Sequence, residues 1–209
     1  MKYTLSNTVE RFQEKKKVDF LFFWGHTMKD EITKACFSQW FPFEFQENGI
    51  RYKTAEHYMM VGKAKLFNDN EILEKILKAE TPNQAKSLGR KVKNFDPKIW
   101  DENKYQIVKQ GNLLKFSQNE KFKQFLLSTN DKILVEASPY DTIWGIGMLE
   151  TDPRAENPSQ WNGENLLGFA LMEVRNELRG YKHNNQTQNI NHEKDRVAPT
   201  NFHNREFSD

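Results

Sequence analysis

The chain has 209 residues, of which 37% are hydrophobic and 13% aromatic, and its 31 Lys and Arg against 29 Asp and Glu leave a formal charge of +2. That length holds one domain with a real core, with or without a tail. The charge balance excludes the strong basic excess of a typical duplex-binding protein, though not a local basic groove, and the single cysteine, Cys36, excludes an internal disulfide framework and a Cys-rich metal site.

Residues 1–17 are polar and charged and lack the apolar stretch of a signal peptide. No segment is long enough to span a membrane, so the expectation is a cytoplasmic protein with no membrane partner. Residues 20–24, Phe-Leu-Phe-Phe-Trp, suit a short buried strand. Residues 41–45 and 50–53 flank Glu47-Asn48-Gly49, and Asn-Gly between such runs predicts a hairpin. Thr54 reads as the N-cap of a helix from 55 to about 67. Asp69 caps the next helix, which carries Ile72, Leu73, Ile76 and Leu77. Thr81-Pro82 and Asp96-Pro97 each join a cap to proline at the first helical position. The second opens a longer helix with Trp100, Ile107, Val108 and Leu114 on repeating turns. Residues 120–128 continue the helical pattern, and 133–137 read as a strand. Residues 138–161, rich in Gly, Pro, Asp and Trp, read as a long loop, and such loops in compact domains are commonly functional. Asn162 or Asn165 starts a closing helix through Leu178, which Gly180 ends. Residues 181–209 read as a flexible polar tail, in which His183, His192 and His203 match no compact metal site. The sum is α+β: a predominantly helical single domain over residues 1–180 with a small β-sheet, followed by the tail at 181–209.

Three segments carry residue types suited to chemistry. In Thr54-Ala55-Glu56-His57-Tyr58-Met59-Met60-Val61-Gly62-Lys63, Glu56 and Lys63 are nearly two helical turns apart. They therefore share a face, about 10 Å apart along the axis, with Met59 and Met60 between them. Such a pair can bracket a sugar ring; it equally fits the solvated face of an ordinary amphipathic helix. Arg90, in Leu88-Gly89-Arg90, offers a planar fork for a phosphate; the same residue fits a plain surface arginine. Asp141-Thr142-Ile143-Trp144-Gly145-Ile146-Gly147 offers a carboxylate for ribose hydroxyls, a stacking face, and two glycines that let backbone approach a ligand; it also reads as a structural loop around a core Trp. Trp24, Trp40, Trp100 and Trp161 are more often core residues than stacking platforms. His26 and His57 lack a Ser or Cys partner for a triad, and Cys36 reads as a small buried hydrophobe.

Taken in order, these segments resemble the NADAR (YbiA-like) family of N-glycosidases. The resemblance runs through Phe37-Ser38-Gln39-Trp40, Ala55-Glu56-His57-Tyr58, Lys63, Ala85-Lys86-Ser87-Leu88-Gly89-Arg90 and Trp100. It continues through Leu134-Val135-Glu136, Asp141, Trp144-Gly145-Ile146-Gly147, Asn165-Leu166-Leu167-Gly168 and Leu171-Met172. Two positions depart from the family pattern: Gln39-Trp40 stands where Asn-Phe is common, and Gly62 where Gln is.

The resemblance implies the YbiA-like fold and an enzyme that cuts the bond between a base and a phosphorylated ribose. The expected substrate is ADP-ribose on guanine in DNA, or else an early riboflavin-pathway intermediate, a ribosylaminopyrimidine phosphate. The residues it implies for catalysis are Glu56, Lys63 and Asp141, with Lys63 as a covalent nucleophile. Those it implies for substrate binding are Trp40, His57, Arg90, Trp100, Trp144, Gly145, Gly147 and Asn165. No cofactor or metal is expected, and the implied partners are a ribosyl-phosphate or ADP-ribosyl adduct, ADP-ribosylated DNA among them, in a toxin–antitoxin or phage-defence setting. A non-catalytic ADP-ribose or nucleotide-binding module would use the same aromatic pocket and Arg90 without turnover. A helical nucleic-acid-binding protein without enzymatic function is a third reading, weakened by the near-neutral charge.

Overall fold

The fold is built around helix α2 (Ala55–Leu66), every residue of which from Ala55 to Val61 is buried. Helices α3 (Asn70–Lys78), α4 (Pro82–Gly89) and α5 (Pro97–Ser117) all pack on it, and a helix enclosed in this way needs no polar face. The solvated-face reading of the Glu56–Lys63 pair is therefore excluded at Glu56, which is 3% exposed. Gly62 explains one departure from the family pattern: a Cβ there would stand 2.5 Å from Ile107 Cγ2 of α5, so the two helices meet closely at a position that a side chain would fill.

The computed structural model describes residues 1–194 other than Lys15 and Lys17, with side chains to residue 180; the remainder of the expected tail, 195–209, lies outside the described residues. The chain divides into Met1–Leu178 and Arg179–Asp209.

Local chemistry sets most helix starts. Thr54, Asp69, Thr81, Asp96 and, for α6 (Glu120–Ser128), Asn119 each accept from a backbone N–H of the first turn, which satisfies donors that the helix itself leaves open. Thr81 and Gln84 complete a reciprocal capping box. The hairpin of β2 (Phe45–Glu47) and β3 (Ile50–Tyr52) turns on Asn48 (φ 51°) and Gly49 (φ 79°), the positive pair that a tight two-residue turn demands.

The other two strands stand where the sequence puts them, but their pairing has no local signature. β1 (Phe20–Phe23) and β4 (Ile133–Glu136) run parallel, with Phe20 opposite Ile133 and Phe23 opposite Glu136. Among the described residues the small β-structure consists of two two-stranded sheets. All four residues of β4 are buried, whereas in β1 only Phe23 is, and Trp24 is 49% exposed. The aromatic run of β1 covers the core from its edge.

Two helices differ from expectation. α1 (Leu5–Gln13) lies in the polar N-terminal stretch and is capped by Thr4. Just before it, the Lys2 N–H donates to Glu173 of the closing helix at 2.7 Å, a long-range tie that composition does not reveal. The closing helix α7 (Leu166–Lys194) runs through Gly180 rather than ending there. Gly180 does not take the left-handed conformation of a helix stop, and one glycine inside a helix costs only about 1 kcal/mol relative to alanine. No helix among the described residues is long and apolar enough to cross a membrane.

Candidate active site

A cleft of about 570 Å³ opens beyond the carboxyl ends of β1 and β4, the side on which parallel strands generally receive ligands. The segment after β1 contributes Trp24 and His26, and β4 with its following loop contributes Glu136, Ser138, Tyr140, Asp141 and Trp144. Helix α2 contributes Glu56, Met59, Met60 and Lys63; α4 contributes Lys86 and, at its end, Arg90; α5 contributes Trp100. Ser38, Gln39 and Trp40 close the remaining side. A smaller groove of about 400 Å³ on the hairpin side of α2 holds one carboxylate, Glu47, which already accepts from Tyr58 OH at 3.1 Å.

Glu56 sits in the first turn of α2, where its backbone N–H donates to Gln39 O at 3.0 Å. Its carboxyl is buried, and Oε1 has no hydrogen-bond partner among the described residues. Loss of hydration pushes its pKa up to about 7, against the pull of Lys86, a hydrogen bond from Trp40 and the charge of Arg90, and with the added push of Asp141. A carboxyl so placed exchanges a proton near neutrality.

Lys63, two turns on, is half-buried. Its Nζ lies 4.0 Å from the Phe95 ring centroid and 5.5 Å from that of Trp100. The rings favour the ammonium form, but desolvation and, to a lesser degree, Arg90 hold its pKa below the ordinary lysine value. The amine thus becomes available as a neutral group at lower pH than an exposed lysine's.

Asp141 anchors the glycine loop from its first residue: Oδ1 accepts from the N–H groups of Ile143 (3.0 Å) and Trp144 (2.7 Å), and its carbonyl accepts from Gly147 N–H at 3.1 Å. The loop then zips onto the start of α7. Leu166 and Leu167 donate to the carbonyls of Ile143 and Trp144 at 3.2 and 3.1 Å. These donors of the helix start are consequently committed inside the protein and do not point at a ligand.

Of the residues singled out from the sequence, Glu56, Lys63, Asp141, Trp40, Arg90, Trp100 and Trp144 all line the cleft. Four do not. His57 follows Glu56 by one residue, about 100° round the helix, and faces the protein interior. Its Nε2 donates to Ala79 O at 3.1 Å, which leaves Nδ1 to accept from the Thr54 hydroxyl at 2.8 Å. Gly145 is packed where a Cβ would stand 2.8 Å from Glu136 O, and Gly147 turns the chain with φ 68°. Asn165 is fully buried, its Oδ1 accepting from Glu136 N–H (3.0 Å) and its Nδ2 donating to Leu134 O (2.9 Å). These four build the cleft's frame rather than its surface.

The sequence gives no individual role to Glu136, Lys86 or Tyr140 and reads Trp24 as a core residue; all four line the cleft, and Trp24 is 49% exposed. The available signal was an acidic residue closing an otherwise apolar strand, Ile-Leu-Val-Glu. Lys115 was missed as well: it is wholly buried, donates to Ser38 O at 2.9 Å, and burial lowers its pKa to about 8. Gln39 is held through its Oε1, which accepts from Asn112 at 2.8 Å.

The model of the NADAR domain matches residues 22–179. The chain is 45% identical over 163 residues to an N-glycosidase of Acanthamoeba polyphaga mimivirus, covering 76% of this chain and 95% of that protein. It is 31% identical over 158 residues to the chloroplastic riboflavin biosynthesis protein PYRR of Zea mays, covering 70% of this chain but 24% of that one. The NMR structure of Escherichia coli YbiA superimposes with a TM-score of 0.63 at 27% identity, over 78% of this chain and 87% of that chain. A helix-dominated α+β fold, a match across nearly all of the main unit and a 45% identical relative named an N-glycosidase agree: the chain belongs to the NADAR domain family and is an N-glycosidase.

Proposed function

We propose that the protein hydrolyses the bond between a nitrogenous base and the anomeric carbon of a phosphorylated ribose, and that its substrate is an ADP-ribosyl adduct of guanine in DNA. The observation that carries the bond type is the convergence of Glu56 and Lys63 on one cleft, each withdrawn from water. Cleavage places positive charge on the sugar and requires a proton on the departing nitrogen. Lys63 Nζ, as the neutral amine, gives its lone pair to the anomeric carbon. The C–N bond breaks with its electron pair on the base, which takes the Glu56 proton. The new C–N bond to Lys63 becomes an imine as the sugar ring opens, the amine's proton passing to the ring oxygen. Water then adds to the same carbon, giving one proton to Glu56, which passes it to the Lys63 nitrogen; Lys63 leaves as the neutral amine while the sugar carbonyl forms, and the second water proton restores the Glu56 acid. Asp141 holds ribose hydroxyls, Trp100 and Trp144 flank the base, and Lys86 and Arg90 meet phosphate.

The cleft mouth favours an adduct carried on a nucleic acid. Trp24 is 49% and Tyr140 87% exposed, with ring centroids 6.3 Å apart, and exposed aromatic faces suit unstacked bases. The similarity to the riboflavin biosynthesis protein favours a second reading, hydrolysis of a ribosylaminopyrimidine phosphate. A head-to-head assay separates them: purified protein with ADP-ribosyl-guanine DNA and with the ribosylaminopyrimidine phosphate, products followed by mass spectrometry. Release of ADP-ribose from the DNA at the higher kcat/KM is the expected result; preference for the pyrimidine phosphate selects the second reading, and no release from either refutes both.

A further inference from the structure

The cleft holds a second withdrawn carboxyl that the scheme above leaves idle. Glu136 closes β4, is 8% exposed and lines the cleft, yet its Oε2 has no hydrogen-bond partner among the described residues. Its main chain is fixed: the N–H donates to Asn165 Oδ1 at 3.0 Å and the carbonyl accepts from Ile146 N–H at 2.9 Å. Lys115 is buried nearby but spends its hydrogen bond on Ser38 O. An unpartnered buried polar group is a standing cost to the fold, and one on a residue that lines a ligand cleft is explained when the ligand supplies the partner.

We infer that Glu136 is a further substrate-binding residue, its Oε2 held for a hydroxyl of the ribose ring. The inference rests on the N-glycoside reading of this cleft. The sugar, not the base, is its target because Glu136 lines the same cleft as Asp141, the residue assigned to the ribose hydroxyls, and lies close enough to it for Asp141 to raise its pKa. Burial and Asp141 push Glu136 up to about 8 against the pull of Lys115. Near neutrality it is therefore a neutral acid with one donor and one acceptor, the same pair that a hydroxyl offers.

The test is binding of ribose 5-phosphate, by titration calorimetry, to the wild type, Glu136→Gln and Glu136→Leu, with thermal melting of each unliganded protein. The Gln variant keeps a donor and an acceptor and is expected to bind within about threefold of the wild type; the Leu variant is expected to bind about tenfold more weakly, as for loss of one hydrogen bond, while melting no lower than the wild type. A Leu variant that binds as tightly as the wild type overturns the assignment. So does a wild type that fails to bind the sugar phosphate, or a pair of variants that both melt well below it, which marks a structural group. If the sugar phosphate binds as expected but neither glycoside is cleaved, the assignment stands and the proposed hydrolysis falls.

Discussion

Asn165 clamps the end of β4 with both ends of its amide, accepting from Glu136 N–H at 3.0 Å and donating to Leu134 O at 2.9 Å, from a backbone held at φ 56°. Asparagine tolerates that conformation better than most residues. Replacing it with alanine leaves two buried backbone groups open and strains the turn. Asn165→Ala is expected to lose about 3 kcal/mol of stability, read by urea denaturation, and to weaken substrate turnover because Glu136 shifts with the strand. Stability within about 0.5 kcal/mol of the wild type would contradict the clamp.

Glu56→Gln removes a proton donor without altering shape. Turnover is expected to fall between about 10² and 10⁴-fold, with circular dichroism unchanged and a melting temperature at or above that of the wild type. Near-wild-type kcat refutes the acid/base role.

Lys63 is tested chemically. Borohydride added during turnover is expected to fix the sugar on the peptide that carries Lys63, seen as added mass, and Lys63→Ala to give neither adduct nor product. An active Lys63→Ala enzyme would exclude the covalent route.

Acidity tests Glu56 twice. Its pKa is raised in the folded protein from 4.5 to about 7, so the folded state binds its proton more tightly than the unfolded chain does. The resulting stabilisation is complete below pH 4.5 and is lost as pH rises through 7; each pKa unit corresponds to about 1.4 kcal/mol. Glu136, raised to about 8, acts in the same direction. Denaturation midpoints should therefore fall less between pH 5 and 8 in Glu56→Gln than in the wild type. In kcat/KM, an alkaline limb near pH 7 from Glu56 should vanish in the same variant, while an acidic limb from Lys63 protonation persists. Identical profiles in the two proteins would count against Glu56 as the titrating acid.

What the chain reveals by itself is what depends on neighbours a few residues away. The caps at Thr54, Asp69, Thr81 and Asp96 and the Asn48-Gly49 turn each act over two to four positions, so their elements stand where the sequence puts them. Helical period likewise puts Glu56 and Lys63 on one face. Tertiary structure alone decides whether that face meets water: α3, α4 and α5 enclose α2, and the same burial that hides Glu56 raises its pKa. Only the parallel pairing of β1 with β4, across more than a hundred residues of chain, brings Trp24 and Glu136 to one cleft. His57, Gly145, Gly147 and Asn165 look like site residues when read as a motif. In space their polar groups and backbones are committed to the frame, because buried donors and acceptors must find partners inside the protein. Glu136 is the converse, a strand end given no role by the motif, whose Oε2 has no partner among the described residues and which lines the cleft.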